Sequence, residues 1–264
     1  MMLAVSVGLL TPVTARADDK SPITRFHATV ELDEDGDADV TLDFTMDFSQ
    51  ARGRGPIIVL PTRQAAGDRN DLLFDYVGFL WTSPTGADVT VHREDEARTI
   101  AMRVGEENTW YDTPQDYTLT YTVRGLIDTD NAESGLDEFN WDAIGTGWDL
   151  PISNVSAEVH GPAPIEAAYC HHGRTLDDPC EATPSGTGAT FSSPDLAPHE
   201  AFQVTASYPS GTFPGVDVNL VERPGPRTWF RPTPASLGLG GALLAVALVV
   251  LYAVRRGQRD EVFV

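Results

Sequence analysis

Two neighbouring runs of alternating apolar and polar residues constrain the fold most strongly. From Phe26 to Leu32 and from Ala38 to Phe48, every second residue is apolar, and those between them are mostly polar or charged. Because successive side chains of a β-strand point to opposite faces, this pattern predicts two strands that each bury one face. The acidic segment between them contains Gly36 and has the composition of a hairpin turn. We therefore expect a β-hairpin here.

Similar patterns recur about every ten residues further along the chain. Alternation predicts strands over Ala87–Arg93, Thr99–Val104, Tyr117–Val123, Val155–Val159 and Phe202–Tyr208. Apolar runs predict two more, over Ile57–Leu60 and Asp71–Trp81, and a helical turn is the alternative for Asp71–Trp81. The strand Ile57–Leu60 is short and is stopped by Pro61, which is typical of an edge strand. No segment between Asp18 and Pro234 carries a long apolar period of 3.6 residues. The fold class predicted for residues 18–208 is therefore all-β, with the architecture of an antiparallel β-sandwich.

An uncharged stretch of nineteen residues, Ser236–Val254, predicts a single transmembrane α-helix. At about 1.5 Å per residue, a helix of this length crosses the roughly 30 Å hydrocarbon core of a bilayer. Between the β domain and this helix, residues 209–235 contain six prolines and predict an extended tether. Residues 255–264 form a short tail.

The orientation of the chain in the membrane follows from its N-terminus. The apolar run Met2–Val13 is too short to span a bilayer, and small residues at Ala15 and Ala17 match a signal-peptidase site, so residues 1–17 are interpreted as a signal peptide. Export of the domain makes the protein a single-pass, type I membrane protein, with residues 18–208 outside the cytoplasm and the tail inside it.

The charge of the chain limits its partners. The formal net charge is −21 and the sequence pI is about 4.4. Such a charge repels phosphate backbones, so nucleic acid is excluded as a partner. The partners expected are the membrane itself, another membrane protein, or a ligand of the cell envelope.

The two cysteines, Cys170 and Cys180, enclose a short loop that contains His171 and His172. In an exported domain a disulfide bond is the first interpretation, and closing the loop would stabilise the fold by about 2 to 3 kcal/mol. The alternative, a zinc site completed by the two histidines, is weaker because adjacent side chains point apart. No cofactor is expected.

The segment Asp128–Ile152 is the most distinctive part of the chain. It contains Trp141 and Trp148 on either side of a glycine-rich turn, together with acidic residues that include Asp137, Glu138 and Asp142. One interpretation is two strands joined by the turn, with both indoles packed in the core. The other is a binding surface, in which the aromatic faces stack on a sugar or hold a cationic peptide with help from the three carboxylates. Both interpretations stay open on the sequence.

Two groups of aspartates raise the possibility of bound calcium. They are Asp33, Asp35 and Asp37 in the predicted hairpin turn, and Asp128 and Asp130 before the tryptophan segment. Calcium prefers oxygen ligands at such alternate positions, but tight turns are commonly acidic as well, and the late glutamate of an EF-hand is missing. A calcium-dependent adhesion domain is therefore an alternative function.

Several stretches together resemble the DUF2207 family of predicted bacterial membrane proteins. They are HATVELDEDGDADVTLDFTMDF, RGRGPIIVLP, YTLTYTVRG, DEFNWDAIGTGWDLPISNVSAEVHGP and RRGQRDEVFV. The resemblance extends over residues 24–264, and it implies a signal peptide, an extracytoplasmic β domain and a first membrane helix followed by an Arg-Asp pair such as Arg259-Asp260. Members of the family usually continue into further membrane helices. The resemblance implies no defined activity.

No recognisable catalytic motif accompanies the six histidines, and no Gly-x-Ser-x-Gly sequence is present. A glycoside hydrolase needs only two carboxylates, so a glycan-active enzyme using the acids around Asp128–Asp149 is a further alternative. The predicted function is nevertheless non-catalytic: a membrane-anchored domain for binding, sensing or scaffolding at the cell envelope.

Overall fold

The computed structural model describes residues 21–216, 218–223 and 234–257. The predicted signal peptide, part of the tether and the end of the tail lie outside the described residues. The strands are β1 (Ile23–Leu32), β2 (Ala38–Met46), β3 (Ile57–Pro61), β4 (Arg63–Ala66), β5 (Asn70–Leu73), β6 (Asp75–Thr82), β7 (Val91–Asp95), β8 (Thr99–Val104), β9 (Gln115–Arg124), β10 (Ile127–Asp128), β11 (Asp137–Ile144), β12 (Val155–His160), β13 (Ala167–Gly173), β14 (Asp178–Pro179), β15 (Glu181–Ser185), β16 (Gly188–Ser193), β17 (Ala201–Tyr208) and β18 (Leu220–Glu222).

Two large sheets make up most of the domain. The seven-stranded sheet has the order β15-β16-β12-β1-β2-β9-β6, and the five-stranded sheet has the order β10-β11-β17-β13-β14. Two smaller sheets, β3-β8-β7 and β18-β5-β4, complete the architecture. Apolar side chains of both large sheets belong to one continuous core. The all-β prediction is confirmed.

The first hairpin forms as the alternation predicts. β1 and β2 are antiparallel, with Phe26 opposite Phe44, and the apolar residues of both strands face the core. In the turn, the Asp33 carboxylate accepts hydrogen bonds from the backbone N–H groups of Asp35 and Asp37, at 3.0 and 2.9 Å. Gly36 has a φ of 76°, which glycine adopts without strain.

The large sheet is mixed, in contrast to the fully antiparallel sheets expected. β12 joins the free edge of β1 in the parallel direction, with Phe26 opposite Val155. The two strands are more than a hundred residues apart in sequence, and a crossover connection of that length permits parallel pairing. The second strand expected in the tryptophan segment is also absent from the described region: after β11, Ile152 forms isolated bridges to Ile23 and Leu196.

The predicted disulfide is present. Cys170 and Cys180 are bonded, with their Cα atoms 5.3 Å apart, and Cys170 is buried on the core face of β13. The bond ties β13 to the start of β15, which lies in the other large sheet.

The packing of the domain extends past Tyr208 into the predicted tether. Phe213 is buried, and its ring meets that of Tyr208 edge to face at a centroid distance of 5.4 Å. The described residues up to Val221 form one compact unit, and the described residues from Glu222 onward form a second one.

The second unit contains the helix α1 (Pro234–Gly257), which includes the predicted span Ser236–Val254. Within the described residues, no helix meets the length and apolarity needed to cross a membrane. The transmembrane assignment therefore stays a prediction.

Candidate binding cleft

A cleft of about 490 Å³ lies between β3 and the loop that follows β11. Ile57 and Val59 line it from β3, and Gly145, Trp148 and Leu150 line it from the loop. Ile57 and Val59 are 58% and 54% exposed, which is unusual for branched apolar residues. We call this concavity the β3 cleft.

The segment before β3 is fixed by a close approach of two backbones. Gly55 has a φ of 149°, and a Cβ atom at this position would lie 2.2 Å from the carbonyl oxygen of Val104. Only glycine fits here, and the contact holds the chain against β8 before Pro56 leads into β3. The exposed residues of β3 are therefore presented on a fixed backbone.

The opposite wall is held by His199. Its backbone N–H donates to the Trp148 carbonyl oxygen at 2.7 Å, and its Nδ1 donates to the Thr146 carbonyl oxygen at 3.2 Å. His199 itself has a φ of 67°, a conformation that is uncommon outside glycine. The Trp148 ring is half-buried, packs on the core with one part and faces the cleft with another.

A smaller inner pocket of about 110 Å³ adjoins the cleft. Val59, Gly145 and Trp148 line both concavities, so the two meet at these residues. The walls of the inner pocket are mainly apolar and aromatic, and its polar groups include Asn140 and Asp142. Such a mixture is typical of sites that bind one apolar group in a fixed orientation.

The inner pocket shifts the ionisation of its polar groups. Burial raises the pKa of the Asp142 carboxyl above its ordinary value, and a hydrogen bond from Gln203 Nε2 at 2.7 Å offsets part of the rise. Burial, and then the Asp142 charge, raise the pKa of Tyr76. Burial also raises the pKa of Tyr121, so both phenols stay protonated donors at neutral pH.

Asp142→Asn is expected to stabilise the protein at pH 7 and to have no such effect below about pH 3.8, the ordinary carboxyl value. The folded state holds the proton of Asp142 more tightly than the unfolded state, so stability is lost as the pH rises through the raised pKa. Urea unfolding at both pH values measures the difference, with exposed Asp112→Asn as the matched control. A stability loss from Asp142→Asn at pH 7 would contradict this account.

One end of the cleft is basic, although the chain as a whole is acidic. Arg52 lines the cleft, and Arg54 lies over the Trp110 ring at 4.8 Å from its centroid, with Arg52 on the same ring at 5.9 Å. Arg54 and Arg103 also line an adjoining pocket of about 260 Å³, beside Ile57. In the part of the chain that the structure describes, neither Arg52 nor Arg54 forms a salt bridge, whereas Arg103 lies 3.7 Å from Glu107.

The structure divides the predicted binding residues between different places. Trp141, Asp142 and Trp148 meet at the inner pocket. Asp137 and Glu138 do not reach it: Asp137 is buried on the core face of β11, and Glu138 lies on the opposite face beside Ser207 and Tyr169. The Asp137 carboxylate instead accepts two backbone hydrogen bonds.

Four of the five aspartates considered for calcium use their carboxylates within the protein, and Asp33 does so in the hairpin turn. Asp37 receives two hydrogen bonds from Arg124, at 2.7 and 2.6 Å. Asp128 accepts a bond from the Asn131 amide, and Asp130 accepts one from the Ser210 hydroxyl. Among the residues that the structure describes, no group of three or more His, Cys, Asp or Glu side chains is placed to hold a metal ion.

The sequence did not single out several residues of the cleft. Ile57 and Val59 were predicted as part of an edge strand but not as a binding surface, and Arg52, Tyr76 and His199 were not predicted to belong to a binding site. The signal for β3 was present, since an uncharged edge strand without a lysine is poorly protected against pairing with another chain. The positions of Tyr76 and His199 depend on contacts with distant segments.

The fold is a mostly β-sheet domain, and the cleft is a recessed surface lined by apolar, aromatic and charged side chains. The chain belongs to the family described as predicted membrane protein (DUF2207), and the family's N-terminal domain matches residues 22–208. No curated protein matches the chain.

Solved structures give distant likenesses. An M1 zinc metallopeptidase from Deinococcus radiodurans is 12% identical with a TM-score of 0.34, and the match covers 70% of this chain and 42% of the peptidase. Leukotriene A4 hydrolase from Saccharomyces cerevisiae is 8% identical with a TM-score of 0.37, covering 75% of this chain and 32% of the hydrolase. This chain thus spans less than half the length of these proteins, and similarities at this level carry no argument about its chemistry.

Proposed function

We propose that the protein is a membrane-anchored, extracytoplasmic binding module that holds a partner in the β3 cleft and has no catalytic activity of its own. The observation that carries the proposal is the exposure of Ile57 and Val59 beside Trp148 in a preformed concavity. Exposed branched residues in a recess, flanked by an aromatic ring and arginines, have the composition of interaction sites.

Membrane anchoring is supported by the family and by the composition of α1. The family is one of predicted membrane proteins. The described apolar side chains of α1 are exposed, among them Leu243, Val249 and Tyr252. An anchor behind an exported domain places the β3 cleft in the cell envelope, where the partner is another envelope protein.

The carboxylates do not favour the glycosidase alternative. Glu138 and Asp142 are four residues apart on one strand, which separates them by about 13 Å along β11. The two carboxyl groups of a glycosidase lie about 5 to 10 Å apart. The calcium alternative is not favoured either, because four of its five aspartates bind Arg124 or other groups of the domain.

A photo-crosslinking amino acid at Val59, in the full-length protein in intact cells, is expected to give a discrete crosslinked product. The same amino acid at Thr183, an exposed residue of edge strand β15, is the matched control and is expected to give none. Introducing Trp148→Ala is expected to reduce the Val59 product at least several-fold, because aromatic residues at the centre of an interface contribute most of its affinity.

The backbone bond from His199 to Trp148 is unaffected by truncating the Trp148 side chain, so the loop keeps its anchor in this variant. Thermal unfolding of the variant verifies that it is folded. Identical products from Val59 and Thr183, or a Val59 product that is insensitive to Trp148→Ala, would contradict the proposed function.

A further inference from the structure

The edge of β3 that faces away from β8 offers unpaired peptide groups. Pro56 O accepts from Val104 N at 3.0 Å, and Thr62 N donates to Arg98 O at 2.8 Å, so the even-numbered residues of this segment bond to β8. In an antiparallel pair the intervening residues direct their N–H and C=O groups the other way. Those residues are Ile57, Val59 and Pro61, of which Pro61 offers only its C=O, and no described strand lies along this outer edge of β3.

This free edge faces the cleft. The residues that line the cleft and the inner pocket include members of β3, of β11 and of the loop after it, together with side chains of β1, β2, β4, β6 and β9, and none comes from β7 or β8. β11 also has an open edge here: its last partner on this side is Leu126, whose carbonyl accepts from Asn140 N at 3.1 Å. Two strand edges thus border one recess, which has the shape that an added extended strand requires.

The side chains that line the cleft also indicate which side chains its occupant carries. Val59 and Trp148 lie where the cleft meets the inner pocket, and the apolar walls of that pocket, with a volume of about 110 Å³, accommodate one apolar side chain. At the Ile57 end, Arg52 and Arg54 stack on Trp110 and have no carboxylate partner among the described residues. Asp149 also lines the cleft, but the two guanidinium groups at the Ile57 end favour an anionic group on the occupant.

We propose that the occupant of the β3 cleft is an extended peptide segment of a partner protein, which adds as a strand to the free edge of β3. One apolar side chain of the peptide enters the inner pocket, and a carboxylate of the peptide binds Arg52 and Arg54. The inference rests on the proposed function and names the class of its partner. A lipid surface fits less well, because hydrocarbon leaves the outward N–H and C=O groups of β3 without hydrogen bonds.

The test uses the full-length protein in lipid nanodiscs and a phage-displayed library of random twelve-residue peptides. We expect enriched peptides with alternating apolar residues and at least one Asp or Glu. Val59→Pro is expected to lower the affinity for the enriched peptides by about tenfold or more, because it removes the outward N–H of residue 59 in β3. The ladder to β8 keeps its bonds, since the Val59 N–H takes no part in it, and an edge strand tolerates proline there.

Val59→Thr is the matched control, because it keeps the backbone N–H and the branched shape, and it is expected to bind within a few-fold of wild type. Hydrogen exchange is the second measurement: bound peptide is expected to slow exchange at Ile57 and Val59. The double variant Arg52→Gln, Arg54→Gln is expected to bind acidic peptides more weakly than wild type does. Its affinity for the same peptides with Asn or Gln in place of the acids is expected to be unchanged.

Three other results would each contradict a different part of the proposal. Peptides that lose binding with Trp148→Ala but not with Val59→Pro would overturn strand addition and leave the cleft as a binding site. If no peptide is enriched and phosphatidylglycerol vesicles bind in a way that requires Arg52 and Arg54, the proposal of a peptide occupant is wrong. That result would favour a contact with the membrane surface. Failure of the Val59 crosslink described above would overturn the proposed function itself.

Discussion

Trp141→Ala is expected to lower the free energy of unfolding by about 3 to 5 kcal/mol. The Trp141 side chain is 7% exposed and lies on the core face of β11, opposite Val204 of the central strand β17. Its ring is 6.4 Å from that of Phe139. Because strands on a hydrogen-bonded sheet cannot move inward to fill the space, most of the cavity left by the indole stays open. Urea unfolding of the full-length protein measures the loss.

Trp148→Ala is the matched comparison, since it removes the same side chain from the same segment. The Trp148 ring is half-buried, and its truncation is expected to cost about 1 to 2 kcal/mol while reducing the Val59 crosslink. Both tryptophans line the inner pocket, but only Trp148 also lines the cleft, and Trp141 is the more buried of the two. Equal stability losses, or a crosslink that depends on Trp141 alone, would contradict this division.

Local alternation was enough to predict β1, β2, β9 and β12 of the larger sheet, whereas β15 and β16 were not predicted. β1, β2 and β9 each bury every second residue, and the hydrogen-bond register keeps their apolar residues on one face. The turn between β1 and β2 was also predictable, because Asp33 and Gly36 supply the side-chain acceptor and the positive φ that it needs. These features depend on residues close in sequence.

Pairing between distant strands was not predictable from these patterns. β12 alternates as expected, but its sequence does not encode which edge it joins or in which direction, and it pairs with β1 in parallel. The segment Asp71–Trp81 was expected as one strand and is divided between β5 and β6, which lie in different sheets. The break falls at Phe74, whose N–H bonds to the Thr62 carbonyl from another part of the chain.

The side chains of the candidate site were also only partly predictable from the sequence. Asp137, Glu138 and Asp142 are close in sequence, yet the period of a strand directs Asp137 to one face and the other two to the opposite face. Sequence spacing identified Trp148 and Asp142, which do meet at the inner pocket. It could not identify β3 as the facing wall, because that contact joins segments more than eighty residues apart.

Asp137→Ala is expected to lower the free energy of unfolding by about 3 kcal/mol or more, without a direct effect on the cleft. Asp137 is 1% exposed, and its carboxylate accepts from the N–H of Asp130 at 3.0 Å and from the N–H of Phe213 at 3.1 Å. Asp130 has a φ of 50°, and Phe213 packs on Tyr208. The carboxylate therefore ties the loop after β10 and the segment after β17 to the core, and its loss leaves both N–H donors without this acceptor, of which that of Phe213 is buried.

Asp137→Asn separates the loss of hydrogen bonds from the loss of the side chain. Its amide oxygen replaces one acceptor, whereas its NH₂ group faces the second N–H donor, so about half or more of the alanine effect is expected to remain. Hydrogen exchange at Asp130 and Phe213 is expected to accelerate in both variants. A fully stable Asp137→Ala protein that had lost the Val59 crosslink would show instead that Asp137 serves the partner, and that the acidic residues of this segment act as one binding surface after all.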